Sequence, residues 1–141
     1  MTETLSVVVE RDLPHSPEKV WRALTQPHLI EAWLMKSDFA PTVGHRFNFR
    51  AEYLPNGALD CEVVAVESSR TLSYTWNSPG SDAGHGLASV VTWTLTPTAT
   101  GTHLRMEQTG FRPDQPQYYQ GAQYGWPRFI DALGQVLAGM A

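Results

Sequence analysis

The chain has 141 residues, of which 42% are hydrophobic and 17% charged, a balance that belongs to a folded domain and excludes intrinsic disorder. Ten lysines and arginines against fourteen acidic residues leave a formal net charge of -4. The basic residues are also scattered, so the electrostatic footprint of a nucleic-acid or anionic-membrane binder is absent. Cys61 is the only cysteine, which excludes an internal disulfide and an all-cysteine metal site.

In chain order, Leu5, Val7 and Val9 alternate with polar residues over Thr4 to Arg11, the pattern of a half-buried first strand. The stretch Ser16 to Trp33 (SPEKVWRALTQPHLIEAW) predicts two short helices end to end. Ser16 is an N-cap, Pro17 suits the first helical position and Glu18 complements the helix dipole. Val20, Trp21 and Leu24 form one apolar stripe, and after Pro27 the residues Leu29, Ile30, Trp33 and Leu34 form another.

A long β region follows. Phe47, Phe49, Ala51 and Tyr53 share one side of a second strand, and Pro55-Asn56-Gly57 carries hairpin-turn chemistry. Leu59, Cys61, Val63 and Ala65 are expected inward on a third strand, and Leu72, Tyr74 and Trp76 on a fourth. Asn77 to Gly86 reads as a polar, glycine-rich loop. Ser89, Val91, Trp93 and Leu95 are the inward set of the fifth strand; Leu104, Met106 and Gln108 are that of the sixth. Gly110 to Gln117 is expected as a loop. The closing helix carries Ala122, Trp126, Phe129, Ile130, Leu133, Val136, Leu137 and Met140 on one broad apolar face. A strand, a helix pair, a run of hairpin-linked strands and one long helix predict an α+β domain over residues 1–141, its antiparallel sheet curled around the last helix.

Chemistry-bearing patterns are sparse. The histidines His15, His28, His45, His85 and His103 form no HxxxH or HExxH pair, so no metal site is expected. The glycines from Gly80 to Gly86 lead into a strand, not a helix, which argues against a phosphate cradle. Cys61 on an inward strand face reads as a small inert hydrophobe. Asp60, Glu62, Arg105 and Glu107 face outward. His45 shares the inward parity of Phe47 and Phe49, which makes it, beside the tyrosines, the candidate acid–base group, with a hydrogen-bonded structural histidine as the favoured reading.

The aromatic residues carry the main signal. Phe47, Phe49 and Tyr53, Tyr74 and Trp76, Val91 and Trp93, Met106 and Gln108, and Trp126, Phe129 and Ile130 of the last helix are expected to face one space between sheet and helix. Apolar walls with a few hydrogen-bonding tips are what small-molecule sites look like.

SPEKVWRALTQPHLIEAW resembles the opening of the activator-of-heat-shock-chaperone-ATPase homologue-like proteins. These are a branch of the START and birch-pollen-allergen (helix-grip) superfamily. Val43-Gly44-His45-Arg46-Phe47, Arg70-Thr71-Leu72-Ser73-Tyr74-Thr75-Trp76 and Gly125-Trp126 fit the same branch. The resemblance implies a helix-grip fold, with a curved antiparallel sheet of six or seven strands wrapped around the C-terminal helix. It also implies a cavity for a small hydrophobic or aromatic ligand, as in relatives that bind lipids, polyketides, hormones or antibiotics.

Three functions then stand beside one another. They are a carrier or sensor of such a ligand, a cavity-based cyclase, dehydratase or hydrolase, and a co-regulator of the chaperone ATPase. The eukaryotic activators add an N-terminal chaperone-binding domain for which this chain leaves no room, which argues against the third and against a chaperone partner. A stress-response role follows from the family name alone. No cofactor, no nucleic-acid partner and no membrane partner is expected. The short acidic N-terminus and the lack of a long apolar run predict a cytoplasmic protein. Free sheet edges would allow a homodimer.

Overall fold

In the computed structural model the described residues are 4–52, 54, 57–78 and 86–140. β1 (Leu5–Leu13) runs two residues beyond its predicted end, since its whole length pairs with β7 (Gly101–Phe111). Ser16 caps α1 (Pro17–Thr25) by accepting the Lys19 N–H at 3.3 Å, with Pro17 in the first turn. α2 (Pro27–Trp33) follows directly. The two residues of β2 (Lys36–Ser37) pair with β3 (Arg46–Arg50), and this strand is too short for periodicity to reveal.

β4 (Ala58–Glu67), β5 (Thr71–Asn77), β6 (Ala88–Thr98) and β7 continue the sheet as successive antiparallel neighbours. The full order is β1-β7-β6-β5-β4-β3-β2, a curved seven-stranded antiparallel sheet. β1 and β2 are therefore opposite edges, and α1 and α2 carry the chain between them across the concave face. There they meet α3 (Pro116–Gly139).

Two local expectations need correction. The β4–β5 register shifts between Val63 and Ala65, leaving Val64 exposed. The bulge reverses the alternation, so Val66, not Ala65, packs against the core. The final helix also begins earlier than expected: Pro116 sits in its first turn, where its missing N–H costs nothing. Tyr53, Pro55, Asn56 and the stretch 79–85, His85 included, lie outside the described residues.

The core is unusually aromatic. Trp33 meets Trp93 edge-on at 5.6 Å, Trp93 meets Trp126 at 5.6 Å, and Trp126 meets Trp76 at 5.2 Å. Three of these indoles donate to buried acceptors: Trp33 to the Ala23 carbonyl at 2.8 Å, Trp93 to the Tyr74 hydroxyl at 2.9 Å and Trp126 to Gln108 Oε1 at 2.6 Å. Burying large rings while pairing their single donors fixes one packing arrangement. No helix of the described residues is long and apolar enough to cross a membrane.

Candidate ligand-binding cavity

The site arises from a change in side-chain size along α3. Beyond Pro127, Ile130, Leu133 and Leu137 are fully buried and fill the space beneath the sheet. Before it, Tyr118, Ala122 and Gly125 recur at helical spacing on one face, with Gly121 beside them, and Phe129 continues that row just past the proline. The two glycines and the alanine withhold bulk at this end. A Cβ placed on Gly121 would meet nothing within 4 Å, and one on Gly125 would touch only the Phe129 ring, at 3.6 Å. The result is a cavity of about 220 Å³ between this part of α3 and the sheet.

Trp76 of β5, Leu59 of β4, Gln108 and Phe111 of β7, and Trp126 and Phe129 of α3 form its walls. Met35, Leu54, Ser78, Leu87, Gln117 and Tyr118 complete the lining with the small residues. Gln117 and Gly121 are exposed, so the cavity opens beside the first turns of α3. Ser78 and Leu87 hold its rim together: the Leu87 N–H donates to Ser78 Oγ at 2.6 Å, and the Ser78 N–H donates to the Leu87 carbonyl at 2.8 Å. Gln115 Nε2 ties the start of α3 to the Gly86 carbonyl at 3.0 Å. Gly86 is needed here, because its φ of 80° is left-handed and a Cβ would collide with Ser78 Oγ.

One polar chain runs through the wall. Trp126 Nε1–H donates to Gln108 Oε1, Gln108 Nε2 donates to Ser89 Oγ at 2.9 Å, and Ser89 Oγ donates to the Trp76 carbonyl at 2.6 Å. An indole nitrogen only donates, which fixes the amide orientation of Gln108. Gln108 itself is 1% exposed.

Of the residues expected to face the cavity, Trp76, Gln108, Trp126 and Phe129 line it. Phe47, Phe49, Tyr74, Val91, Trp93, Met106 and Ile130 are instead buried in solid core. The reason is the segment after α1. Trp33 of α2 covers Trp93, while Phe39 fills the space beside Phe47 and Tyr74 at 5.0 and 6.1 Å. Tyr53 lies outside the described residues.

His45 is not part of the cavity. Gly44, with φ 88°, turns the chain into β3 and leaves the His45 ring half-buried, stacked on Phe47. Its Nε2 lies 3.0 Å from the Asp38 carbonyl, and a carbonyl can only accept, so this nitrogen carries the hydrogen. Asp38 is held below the usual carboxylate range, chiefly by the Asn48 backbone N–H at 2.8 Å. Burial pushes both the Cys61 thiol and the Tyr74 phenol above their ordinary values, which keeps each protonated and unreactive. Among the described residues no three His, Cys, Asp or Glu side chains converge as a metal site would require.

Sequence reasoning missed Met35, Leu54, Leu87 and Phe111, which sit at element ends or in loops without periodicity. Gly121 and Gly125 were findable: glycine inside a helical pattern costs stability and calls for a packing reason.

A curved sheet gripping a long helix over an apolar, open-sided cavity defines the helix-grip class. The chain belongs to the Activator of Hsp90 ATPase homolog 1-like protein family, whose model matches residues 14–138. It is similar to protein MLL2253 from Mesorhizobium loti, with 63% identity, coverage of 97% of this chain and 99% of that one, and a TM-score of 0.90. It is also similar to DynU16, a putative protein in the dynemicin biosynthetic locus. There the identity is 26% over 96% of this chain, which spans 47% of DynU16, with a TM-score of 0.75. Protein BH1534 from Bacillus halodurans shares the fold at 23% identity and a TM-score of 0.80, over 97% of this chain and 99% of that one. No curated protein matches the sequence.

Proposed function

We propose that this chain is a cytoplasmic small-molecule binding protein, a carrier or sensor that holds an apolar or aromatic ligand between the sheet and α3. The observation that carries the reading is the cavity of about 220 Å³. A roughly 150 Å³ apolar void already accepts benzene, so this one has room for a ring system. Its wall is built for contact, with five aromatic side chains (Trp76, Phe111, Tyr118, Trp126 and Phe129) around one buried amide. Its described lining contains no carboxylate, histidine, lysine or arginine, the groups on which acid–base turnover most often rests. That composition favours holding a ligand over transforming it. The chaperone activity in the family's description belongs to the protein for which the family is named, and the cavity supports a different role here.

Saturation-transfer NMR with tetralin tests the reading. Transfer to tetralin should be saturable and should disappear in Gly121→Leu, whose side chain occupies the cavity mouth. Equal transfer in both proteins would show that the hydrocarbon binds elsewhere. Native mass spectrometry of freshly purified protein should also detect a co-purified molecule of small mass.

A further inference from the structure

We infer that the ligand is a neutral carbonyl compound of one or two fused rings whose oxygen accepts a hydrogen bond from Gln108; this rests on the binding reading above. Among the described wall residues, Gln108 is the one that is both fully buried and amide-bearing. Its oxygen is engaged by Trp126, and the indole cannot accept, so the amide cannot be flipped. Its nitrogen has two hydrogens. One goes to Ser89 Oγ, whose own hydrogen goes to the Trp76 carbonyl. The second has no acceptor among the described residues.

Among the other polar groups of the described wall, Gln117 is exposed at the opening. The Trp76 indole N–H, free of a described acceptor, belongs to a residue 8% exposed against 1% for Gln108, so Gln108 is the deeper donor. The Ser78 hydroxyl is engaged with Leu87 on both its donor and its acceptor side. Tyr118 is half-buried near the opening, beside Gly86. A deep donor without an acceptor therefore faces a ligand whose remaining surface must match tryptophan and phenylalanine rings. The acceptor must be neutral, because a carboxylate or phosphate would be desolvated here with no cation in the described lining to balance it. Size limits the body. About 220 Å³ is more than the roughly 150 Å³ that takes benzene and less than the roughly 300 Å³ at which drug-sized sites begin. Long-chain lipids and four-ring skeletons are excluded on that count.

The test compares 1-tetralone with tetralin, which differ by the carbonyl, on the ¹⁵N-labelled full chain. Both should bind saturably. Tetralone should move one of the two Gln108 side-chain amide protons downfield, while tetralin leaves that proton in place. In Gln108→Glu, which keeps an acceptor for Trp126 but removes the amide hydrogens, the tetralone-to-tetralin affinity ratio should fall about five- to tenfold, the loss of one net hydrogen bond. If Gln108→Glu does not fold, the amide shift in the natural chain decides alone. Binding of both probes with the same response at Gln108 would overturn the carbonyl inference and leave the cavity reading intact. Binding of neither would overturn both. Displacement of tetralone by progesterone, a four-ring ketone, would overturn the size limit.

Discussion

Gly121 allows stability and binding to be driven in opposite directions, which no general loss of fold can imitate. It lies within α3, and a Cβ there meets nothing within 4 Å. Gly121→Ala should therefore gain the helix-propensity difference of about 0.8–1 kcal/mol and lose no contact. A midpoint shift of roughly 3–4 °C follows for a chain of this size. Gly121→Leu gains a similar propensity term. Partial burial of its isobutyl group against the apolar lining of the cavity mouth adds about 1 kcal/mol, less than the 1.5–3 kcal/mol of full burial. A gain of about 2 kcal/mol predicts a rise of roughly 6–8 °C. The same side chain closes the mouth, so tetralin affinity should fall at least tenfold in Gly121→Leu and stay near the natural value in Gly121→Ala. Differential scanning calorimetry and ligand-observed NMR on the same samples measure both quantities. A stabilised Gly121→Leu that binds tetralin normally would refute the placement of the site. A destabilised Gly121→Ala would refute the claim that this wall of the cavity is open.

Gln108→Leu strands the Trp126 indole N–H and removes one bond to Ser89, so urea denaturation should show a loss of about 2–4 kcal/mol, one unsatisfied buried donor being worth roughly 1–3 kcal/mol. Ser16→Ala removes the α1 cap; the Lys19 bond is long, at 3.3 Å, and exposed, so a loss of about 0.5–1 kcal/mol is expected, with tetralin affinity unchanged. The His103 pKa is raised, first by the hydrogen bond to Glu10 and then by that to Asp12, so the protonated ring favours the folded state. That stabilisation is complete below the unfolded value of about 6.5 and fades as pH rises through the higher folded value. The stability difference between the natural chain and His103→Gln should accordingly be larger at pH 6 than at pH 9, and a difference independent of pH would contradict the Glu10–His103–Asp12 arrangement.

The strands were legible because alternation is a local property: Leu72, Tyr74 and Trp76, or Leu104, Met106 and Gln108, declare their inward face within five residues. The helix starts at Ser16 and the general place of α3 were legible for the same reason, through capping chemistry and the 3.6-residue period. Parity has a blind spot where the backbone breaks step. Nothing in the run Val63-Val64-Ala65-Val66 marks which residue is extruded, and the bulge reverses the two that follow. The candidate site was only partly legible, because parity says that a residue faces inward and not whether it meets another side chain or a void. Phe47 and Trp93 differ from Trp76 and Trp126 in what the α2–β3 segment places opposite them. Phe39, which fills one of those spaces, lies in a stretch with no period at all.

The location of the void follows from how α3 is divided. Pro127 has no N–H for the Gln123 carbonyl, and it separates two stretches with different duties. On its C-terminal side Ile130, Leu133 and Leu137 lock the helix onto the sheet, each at most 1% exposed. On its N-terminal side no residue before Trp126 is fully buried; Tyr118, Tyr119 and Ala122 pack only partly buried against the core, alongside the Gln115–Gly86 bond and the Tyr119–Phe111 ring contact at 5.6 Å. Trp126 stands at the junction and belongs to both. Its ring completes the aromatic core against Trp76 and Trp93, its N–H holds Gln108 in position, and its remaining surface is cavity wall. A fold that needed only stability would place a leucine where Gly121 stands. Leaving that bulk out at the one end where the helix is lightly held, above a buried amide with a hydrogen to spare, is the arrangement of a site that waits for a ligand.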